Sequence, residues 1–435
     1  MKELFDHEDV HAKFYKQTIA RVDDVCNTGD DLCFVYVQHA FSPLITHISC
    51  LQNRLAALIP KASSSSSNRH VVKQLENEFP RRIYSDINRG HLRNADFTLN
   101  LLKHVTQGRP FAILEYGGYF APSAQAIAND PELGPKLVGF VEGTENGIKG
   151  ADDGLTIGYQ EVAHNVNKPI ISKSKSRIKK IMDRDIGPAI IESCNNILHQ
   201  SVGYGIEAAQ SSIGIIGLGS IGKGLLRYLN NDNIQPFVFD LDLAVMAELA
   251  HSQHLAVPQE TLLAKSDLVF LNTGSCFLAQ QPELLKHIKE NAILVLCTSG
   301  DVEAGIPQLV AAKHIELVNG DANDPIATYK TRDNKTIRIM LGGDSVGQAP
   351  NLVVESGSGS LANLMSDMEF YALGCYLASN ATELPVGCIS DSPVEMQDVI
   401  IEQWLQAFHP DCRNTHSEST SASTAKKTQP TGVSS

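Results

Sequence analysis

Glycines at a defined spacing form the clearest chemical motif of the chain. The hexapeptide Gly217-Leu218-Gly219-Ser220-Ile221-Gly222 follows an apolar run and opens an amphipathic segment, and Asp240 comes 18 residues after Gly222. In a βαβ unit the first glycine allows a tight turn, the second lets the backbone approach a pyrophosphate, and the third permits close helix–strand packing. The helix N-terminus offers N–H groups to the phosphates, and the acid holds ribose hydroxyls. The pattern therefore predicts a dinucleotide site.

The residues around this loop discriminate between nucleotides. The stretch from Gly217 to Lys223 also half-matches a P-loop, but Gly224 stands where that motif needs Ser or Thr to bind magnesium. Asp240 would repel a 2′-phosphate, and no Arg follows it closely. We therefore predict NAD rather than NADP as the cofactor, and no metal site. The predicted contacts from this unit are Gly217, Gly219, Ser220, Ile221, Gly222 and Asp240.

Short apolar runs alternate with amphipathic segments from Ile213 onward. Such runs separated by helices predict a parallel sheet covered on both faces, the doubly wound Rossmann-type arrangement. The predicted strands are Ile213–Gly217, Pro236–Asp240, Asp267–Asn272, Ala292–Cys297, Ile315–Asn319 and Thr336–Leu341. The helices predicted between the first four strands are Gly222–Asn230, Leu243–Ser252, Pro258–Ala264 and Gln281–Lys289.

The first half of the chain is less regular, but it also mixes both kinds of element. The predicted strands are Leu32–Val37, Ala112–Glu115 and Leu137–Val141, and the predicted helices are Leu44–Leu58 and Ala95–Thr106. These elements predict a second α/β domain that binds the substrate. The long amphipathic segment Leu361–Ala378 predicts a helix that crosses back to this domain.

A chain of 435 residues is too long for a single core, so two domains are expected. We predict an α/β fold in which a Rossmann-type doubly wound parallel sheet, the NAD domain, is inserted into the second α/β domain. The predicted bounds are 1–190 and 356–412 for the substrate domain, 191–355 for the NAD domain, and 413–435 for a disordered tail. The serine run Ser63 to Ser67 predicts a surface loop.

Composition and charge exclude several classes of partner. The net charge of −13 argues against nucleic acid, because such binding needs a basic face. No apolar run approaches the ~20 residues of a membrane span, and the N-terminus lacks the apolar segment of a secretory signal. Nine cysteines without a C-x-x-C pair favour a reducing compartment. These observations predict a soluble cytoplasmic protein with a small-molecule substrate, and they leave a homo-oligomer open.

Five motifs in order resemble S-adenosylhomocysteine hydrolases over roughly Leu32 to Asn380. They are the glycine loop with its G-K-G ending, Val141-Glu142-Gly143-Thr144-Glu145-Asn146-Gly147, Leu271-Asn272-Thr273-Gly274, Asp301-Val302-Glu303, and Asn351-Leu352 followed by Gly357. The resemblance implies further NAD contacts from Thr144, Asn146, Asn272, Thr273, Ser299 and Asn351. It also implies transient oxidation of a ribose hydroxyl by bound NAD, followed by proton abstraction and loss of a thiol.

The resemblance further implies four acid–base residues: His39, Glu142, Lys173 and Asp183. His39 aligns with the family's histidine motif, although a histidine that caps a helix is an alternative. Glu142 is adjacent to the family's glutamate position. Lys173 matches the K-S-K motif, whereas anchoring the alignment on Gly187 selects Lys179 and Asp183 instead. A solvated basic face from Lys173 to Lys180 is a further alternative.

Substrate-facing motifs differ from the family more than cofactor-facing motifs do. Tyr116 stands at the aspartate of D-D-G-G, Gly143 at the glutamate, and Ser358 at the histidine of G-H-P. The combination predicts an NAD-dependent, hydrolase-like enzyme that transiently oxidises a nucleoside or polyol, with little hydrolysis of S-adenosylhomocysteine itself.

Two alternatives stay open on the sequence. The first is an NAD-dependent dehydrogenase of the 2-hydroxy-acid type, which usually presents an Arg and a His from the cofactor domain. His287 and His314 are available, but no Arg lies between Arg227 and Arg332. The second is a non-catalytic NAD-binding regulator, which the substituted carboxylates favour.

Overall fold

Two β-sheets form the frame of the protein. The computed structural model describes residues 8–61, 67–150, 156–206, 212–298, 303–319, 324–346 and 361–413. The first sheet consists of β1 (Cys33–Gln38), β2 (Leu55–Pro60), β3 (Phe111–Glu115), β4 (Leu137–Glu142), β5 (Ile170–Ser172) and β14 (Ile389–Asp391). The second consists of β6 (Ile213–Ile216), β7 (Phe237–Phe239), β8 (Leu255–Ala256), β9 (Leu268–Leu271), β10 (Ile293–Leu296), β11 (Ile315–Asn319), β12 (Ile326–Thr331) and β13 (Thr336–Met340).

Helices of very different lengths connect and cover these strands. In the first part of the chain they are α1 (Glu8–Cys26), α2 (Ser42–Leu51), α3 (Arg69–Glu78), α4 (Arg89–Arg93), α5 (Ala95–Thr106), α6 (Ala124–Asn129), α7 (Glu145–Lys149), α8 (Tyr159–Val162) and α9 (Arg177–Val202). They continue with α10 (Ser220–Asn231), α11 (Leu243–His251), α12 (Gln259–Lys265), α13 (Phe277–Gln280), α14 (Ile306–Ala311), α15 (Leu361–Asn380) and α16 (Val394–Phe408). In the described ranges, no helix combines the length and apolar character that crossing a bilayer requires.

The first sheet is parallel throughout, in the order β14-β5-β4-β3-β1-β2. Alternate residues of β1 enter two different hydrophobic clusters: Phe34 and Tyr36 lie on the face covered by α1, α15 and α16, and Val35 and Val37 lie on the face covered by α5 and α6. Burial on both faces is what an all-parallel sheet requires.

The second sheet has the order β11-β12-β13-β10-β9-β6-β7-β8. From β8 to β13 every neighbouring pair is parallel, and β12 and β11 extend this edge in antiparallel pairing. Ile215 lies on the face packed against α9 and α10, and Ile216 lies on the face packed against α12. The predicted Rossmann-type, doubly wound fold beside a second α/β sheet is confirmed. Its topological switch point lies between β6 and β9, where such sheets bind ligands.

Two long helices join the halves. The 26-residue α9 begins against the core of the first sheet through Ile178 and ends against the second sheet through Cys194 and Ile197. Helix α15, predicted at Leu361–Ala378, returns the chain to the first sheet and packs on β3 and β4. The numerical domain bounds stay a prediction, and α9 is continuous across residue 190.

The predicted helix over Leu44–Leu58 is wrong in its second half. Helix α2 ends at Leu51, and Leu55–Pro60 forms β2, which pairs in parallel with β1. Leucine and alanine have high intrinsic helix propensities, which tertiary context can override. All six residues of β2 are buried, and hydrogen bonds to β1 satisfy a backbone that solvent does not reach, so tertiary packing overrides the propensity.

Two further differences lie in the second sheet. The predicted helix Gln281–Lys289 is instead a 3-10 segment over Pro282–His287, which follows the short α13. Strand β12 was not predicted, because polar residues interrupt its apolar ones and leave no continuous apolar run; the alternate positions are buried, and of the others only Lys330 is exposed. It pairs with β13 across a turn in which Asn334 has a φ of 62°.

The predicted serine loop and tail lie largely outside the described residues. Residues 62–66 and 414–435 are not described. Ser67 is described and buried: its hydroxyl accepts a hydrogen bond from Ala40 N at 3.3 Å and donates one to Lys61 O at 2.8 Å. The end of the serine run is therefore anchored to the segment after β1.

A glycine-to-glycine contact sets the distance between α9 and α10. A Cβ added to Gly187 would lie 2.5 Å from the carbonyl carbon of Gly224 and 2.6 Å from Leu225 N. Both contacts are to backbone atoms, which cannot rotate away as a flexible side chain can. The close approach of the two helices therefore fixes where the N-terminus of α10 lies.

We expect Gly187→Ala to destabilise the protein. Its methyl group must push α9 and α10 apart, and overpacking of this kind costs about 1–3 kcal/mol, more than the ~1 kcal/mol that alanine adds to a helix. The free energy of unfolding, measured by urea titration, tests this. Gly29→Ala is the control, because nothing lies within 4 Å of a Cβ there; equal stability of the two variants would contradict the expectation.

Candidate functional site

The carboxyl ends of the two sheets face a common cleft of about 780 Å³. From the first sheet, residues that follow β1, β3, β4 and β5 line it, including His39, Tyr116, Thr144 and Ser174. From the second sheet, the residues that follow β6, β9 and β10 line it. Ligands of open α/β sheets bind at this end of the strands, because loops there carry unpaired polar groups.

The glycine loop has the geometry that the sequence predicts. Gly217 has a φ of +89°, and a Cβ there would lie 2.6 Å from Asn272 O. A Cβ on Gly222 would lie 2.0 Å from Gly217 O, so neither position accepts a side chain. Gly219 has nothing within 4 Å of an added Cβ and caps α10 without a side-chain hydrogen bond. Free N–H groups of α10 therefore point toward open space beside Gly219, where a pyrophosphate would bind.

Asp240 closes the loop from the end of β7. Its Oδ2 accepts a hydrogen bond from Leu218 N at 2.6 Å, and its Oδ1 accepts one from Asp242 N at 2.8 Å. The half-buried carboxylate thus holds the glycine loop and presents its remaining acceptor capacity at the ribose position.

Asn272 tests whether the cleft fits a cofactor. It follows β9 at the switch point, lines the cleft and is buried, yet neither its Oδ1 nor its Nδ2 has a hydrogen-bond partner among the described residues. Burying an unpaired amide costs free energy, so such a group indicates a missing partner. A nicotinamide or ribose group placed here would supply both a donor and an acceptor, so the residues fit a bound dinucleotide.

Buried glutamates hold the loops that carry the other predicted cofactor contacts. Glu142 accepts hydrogen bonds from the N–H groups of Gly117, Gly118 and Thr144 and from the Thr144 hydroxyl, at 2.7 to 2.9 Å. Thr144 and Asn146 line the cleft beside it. Glu142 itself does not line the cleft, and its oxygens are occupied, so the structure places it as a loop anchor rather than as a proton carrier.

Glu303 likewise anchors loops that follow strands of the second sheet. It is buried and accepts hydrogen bonds from Thr273 N, Gly274 N and the hydroxyls of Thr273 and Thr298, at 2.5 to 3.1 Å. Burial raises its pKa, and these hydrogen bonds oppose the rise. The Thr273 hydroxyl is therefore committed to the loop, although the residue lines the cleft.

A second buried carboxyl lies beside Glu142. Burial and the charge of Glu142 raise the pKa of Glu115 to about 8, and Tyr159 donates a hydrogen bond to it at 2.5 Å. Burial also raises the pKa of Glu142, but the N–H and O–H donors around Glu142 oppose that rise and stabilise its negative charge. Glu115 is therefore the member of the pair that holds a proton at neutral pH.

The acid–base residues predicted from sequence separate into two groups. His39 and Asp183 line the cleft, and Asp183 forms an ion pair with Lys179, which also lines it. The His39 ring is stacked on Phe41 at 5.9 Å and lies 5.4 Å from the Tyr116 ring. The alignment register that selects Lys179 and Asp183 is thus the one that brings both side chains into the cleft.

Lys173 lies below the cleft instead of lining it. Its side chain is fully buried, donates hydrogen bonds to Ser366 O at 2.6 Å and Ser366 Oγ at 2.8 Å, and lies 3.6 Å from Glu369 Oε2. Burial lowers its pKa to about 8, and the charges of Glu369 and Asp367 oppose that shift.

Several cleft residues carry no functional assignment from sequence. Gln38, Ser366 and Asp367 line the cleft floor, and Asp367 Oδ1 accepts a hydrogen bond from Gln38 Nε2 at 3.2 Å. The sequence of α15 offers a clue, because the polar residues Ser366, Asp367 and Glu369 lie within a mostly apolar stretch of that helix. Ser299 and Asn351, predicted as cofactor contacts, lie outside the described residues, as does Ser358.

Comparison with known proteins finds similarity to reductases. The glyoxylate reductase/hydroxypyruvate reductases of mouse and of human are each 30% identical over 131 residues, which cover 28% of this chain and 38% of the relative. The chain thus spans well under half the length of these relatives. No family model matches the chain.

Comparison with solved structures gives only distant matches. They include a phosphoglycerate oxidoreductase from Vibrio cholerae (TM-score 0.40, 13% identity, 64% of this chain and 80% of that chain). They also include the D-lactate dehydrogenase of Escherichia coli (TM-score 0.33, 13% identity, 64% and 78%). At these identities, neither assigns an activity.

The resemblance to S-adenosylhomocysteine hydrolases is wrong. The curated relatives that the sequence matches are glyoxylate reductase/hydroxypyruvate reductases. The motifs behind the resemblance lie mostly around the cofactor, and any enzyme that binds a dinucleotide on this fold needs similar loops. The prediction of an NAD cofactor is confirmed by the similarity to these reductases. The glycine loop, Asp240 and the unpaired amide of Asn272 fit such a cofactor.

We expect Asp240→Ala to weaken NAD binding roughly tenfold or more and to reduce the preference for NAD over NADP. The variant loses the ribose acceptor, the repulsion of a 2′-phosphate and the hydrogen bond that holds Leu218 N. Calorimetric titration with both nucleotides measures the change. Asp232→Ala, at the other end of α10, is the matched control; NADP binding as tightly as NAD to the unchanged protein would refute the assignment.

Glu115→Gln should flatten the dependence of stability on pH. A folded-state pKa raised from 4.5 to about 8 means that Glu115 contributes stability below about pH 4.5, which is lost as the pH rises through about 8. One proton corresponds to a slope on the order of 1.4 kcal/mol per pH unit. Urea unfolding across this range should show the decline in the wild type and in the surface control Glu383→Gln, and less of it in Glu115→Gln. Parallel profiles for all three proteins would rule out a protonated Glu115.

Proposed function

We propose that the protein is an NAD-dependent oxidoreductase that interconverts a small hydroxy acid and the matching keto acid. One observation carries the proposal: the glycine loop, the unpaired amide of Asn272 and the acid–base groups His39, Lys179 and Asp183 all belong to one cleft. The names of the curated relatives include glyoxylate and hydroxypyruvate, which are small keto acids. These names support the proposed substrate class. We favour it over the nucleoside or polyol predicted from sequence, which depended on the hydrolase resemblance.

His39 is the proposed acid–base group. NAD, when bound, takes up or returns a hydride, so the protein must remove or supply the proton of the substrate oxygen. An imidazole can both accept and donate a proton at its ring nitrogens, so it suits both directions of such a proton transfer. Contacts with Phe41 and Tyr116 restrict the orientation of the ring, which general acid–base catalysis requires.

Lys179 is the proposed cation for the substrate carboxylate. Among the described residues that line the cleft, the lysines are Lys61, Lys149 and Lys179, and none is an arginine. Lys149 is 61% exposed at its side chain and paired with Glu145, whereas the Lys179 side chain is 15% exposed. A partly buried ammonium attracts a carboxylate more strongly because water screens it less. The ion pair with Asp183 orients the Lys179 side chain until the substrate arrives.

The decisive experiment measures consumption of NADH with glyoxylate and with hydroxypyruvate. We expect turnover with at least one of these keto acids and none with adenosine or ribose plus NAD. If NAD binds tightly and no substrate of either kind is turned over, the protein is a non-catalytic NAD-binding protein and the proposal fails.

Removal of the proposed acid–base group should lower kcat without weakening cofactor binding. We expect His39→Gln to reduce kcat by about 10²–10⁴ and to leave the Kd for NADH unchanged, because general acid–base groups act on the chemical step. His104→Gln, which replaces an exposed histidine of α5, is the control. Wild-type kcat in His39→Gln would remove His39 from the mechanism.

A further inference from the structure

The hydroxyl groups of Tyr116 and Ser366 and the ammonium group of Lys173 form a hydrogen-bond chain at the cleft floor. Tyr116 and Ser366 both line the cleft, and their hydroxyl oxygens are 2.8 Å apart. Lys173 Nζ lies beneath them, 2.8 Å from Ser366 Oγ and 3.4 Å from Tyr116 Oη. Neither the hydroxyl of Ser366 nor that of Tyr116 has another hydrogen-bond partner among the described residues.

The number of hydroxyl hydrogens in this hydrogen-bond chain determines what it can donate to a ligand. An ammonium can only donate, so Lys173 takes no hydrogen from either hydroxyl. The two hydroxyls carry one hydrogen each, and the bond between them uses one. One hydrogen is therefore left without an acceptor in the described structure, on a residue that faces the cleft.

The distances from Lys173 Nζ to the two hydroxyl oxygens bear on the donor–acceptor direction of the hydrogen-bond chain. Either hydroxyl oxygen could donate in the bond between them, and Lys173 donates to both. Because the ammonium is closer to Ser366 Oγ than to Tyr116 Oη, we assign Ser366 as its main acceptor and as the donor to Tyr116. Each donor in such a chain polarises the next, and a charged donor at its start strengthens the effect. The free hydrogen is then on Tyr116.

We propose that the Tyr116 hydroxyl donates a hydrogen bond to the carbonyl oxygen of the bound keto acid, with Ser366 and Lys173 as positioning residues. This inference rests on the proposed function, since it assigns the acceptor within the same substrate class. As the keto group is reduced, its oxygen gains negative charge until His39 protonates it. A donor aimed at that oxygen therefore binds the transition state more strongly than the ground state.

The surroundings of Tyr116 keep it a donor rather than a base. Its ring is held by an edge-to-face contact with Phe370 at 4.7 Å, and Lys173 lies 4.0 Å from the centre of the Phe370 ring. Burial raises the pKa of Tyr116 above its usual value, so the phenol stays protonated at neutral pH. Glu369 balances the charge of Lys173 and is itself held by Ser176 at 3.0 Å and Ser392 at 2.8 Å.

The test compares Tyr116→Phe with the wild type, because this change removes one oxygen and keeps the ring contact with Phe370. Two quantities are measured on the NADH-loaded protein: kcat and KM for glyoxylate and hydroxypyruvate, and the affinity for oxamate, a keto-acid analogue that is not reduced. We expect kcat to fall by about 10²–10³ with a smaller change in KM, and oxamate binding to weaken roughly tenfold. The affinity for NADH should not change.

Two further variants sharpen the comparison. Tyr84→Phe, whose hydroxyl donates to Arg81 O outside the cleft, should match the wild type in every measurement. Ser366→Ala keeps the phenol but removes the group that orients it, so its loss of kcat should be smaller than that of Tyr116→Phe. A larger loss in Ser366→Ala would overturn the assignment of the donor to Tyr116.

The remaining outcomes separate this inference from the proposed function. Wild-type kcat and oxamate affinity in Tyr116→Phe would overturn the inference, even if the wild type reduces keto acids. Oxamate binding that depends on Tyr116, in a protein that never consumes NADH, would support the donor and refute the proposed function. Absence of oxamate binding by the wild type would overturn the inference as well.

Discussion

Hydrogen bonds from loop N–H groups to buried carboxylates shape the cleft on both sides. A loop that follows a parallel strand leaves backbone donors without strand partners, and buried donors must be paired. Glu142 in the first sheet and Glu303 in the second each accept several such bonds. A carboxylate suits this position because its two oxygens accept more hydrogen bonds than any neutral side chain can. Glu142 and Glu303 hold the loops from which other residues reach the cleft: Thr144, Asn146, Asn272 and Thr273.

A second polar cluster joins segments that are far apart in the chain. Lys173, after β5, binds Ser366 of α15, 193 residues later. A buried ammonium needs a counter-charge and acceptors, and Glu369 and Ser366 supply both. Because α15 also packs its apolar side on the first sheet, the hydrophobic core brings the helix into place and the polar cluster sets its exact neighbours at the cleft floor. The same contacts that compensate the buried charge thus place the Ser366 hydroxyl beside that of Tyr116 in the cleft lining.

The cofactor side and the substrate side of the cleft differ in how well short sequence motifs identify their residues. A pyrophosphate and a ribose demand nearly the same loop wherever a doubly wound sheet binds them, so motifs around Gly217 recur in enzymes with unrelated reactions. The proposed reaction depends on groups such as His39, Lys179 and Tyr116, which no short motif defines. This difference explains why NAD could be predicted correctly while the hydrolase resemblance was wrong.

Local sequence determined the features that depend on short stretches of chain. The glycine loop, Asp240 at the end of β7, α5 at Ala95–Thr106 and β11 at Ile315–Asn319 all follow from spacing, periodicity and steric needs within one element. Tertiary structure decided whatever depends on burial. Leu55–Pro60 is a strand because packing removes solvent from both of its faces, and no local preference contains that information. Lys173 and Lys179 have the same side chain and lie six positions apart, yet the turn of α9 and the return of α15 bury the first and leave the second in the cleft. Chemistry at a charged group depends on its solvent and its neighbours, and those are set by contacts between distant segments.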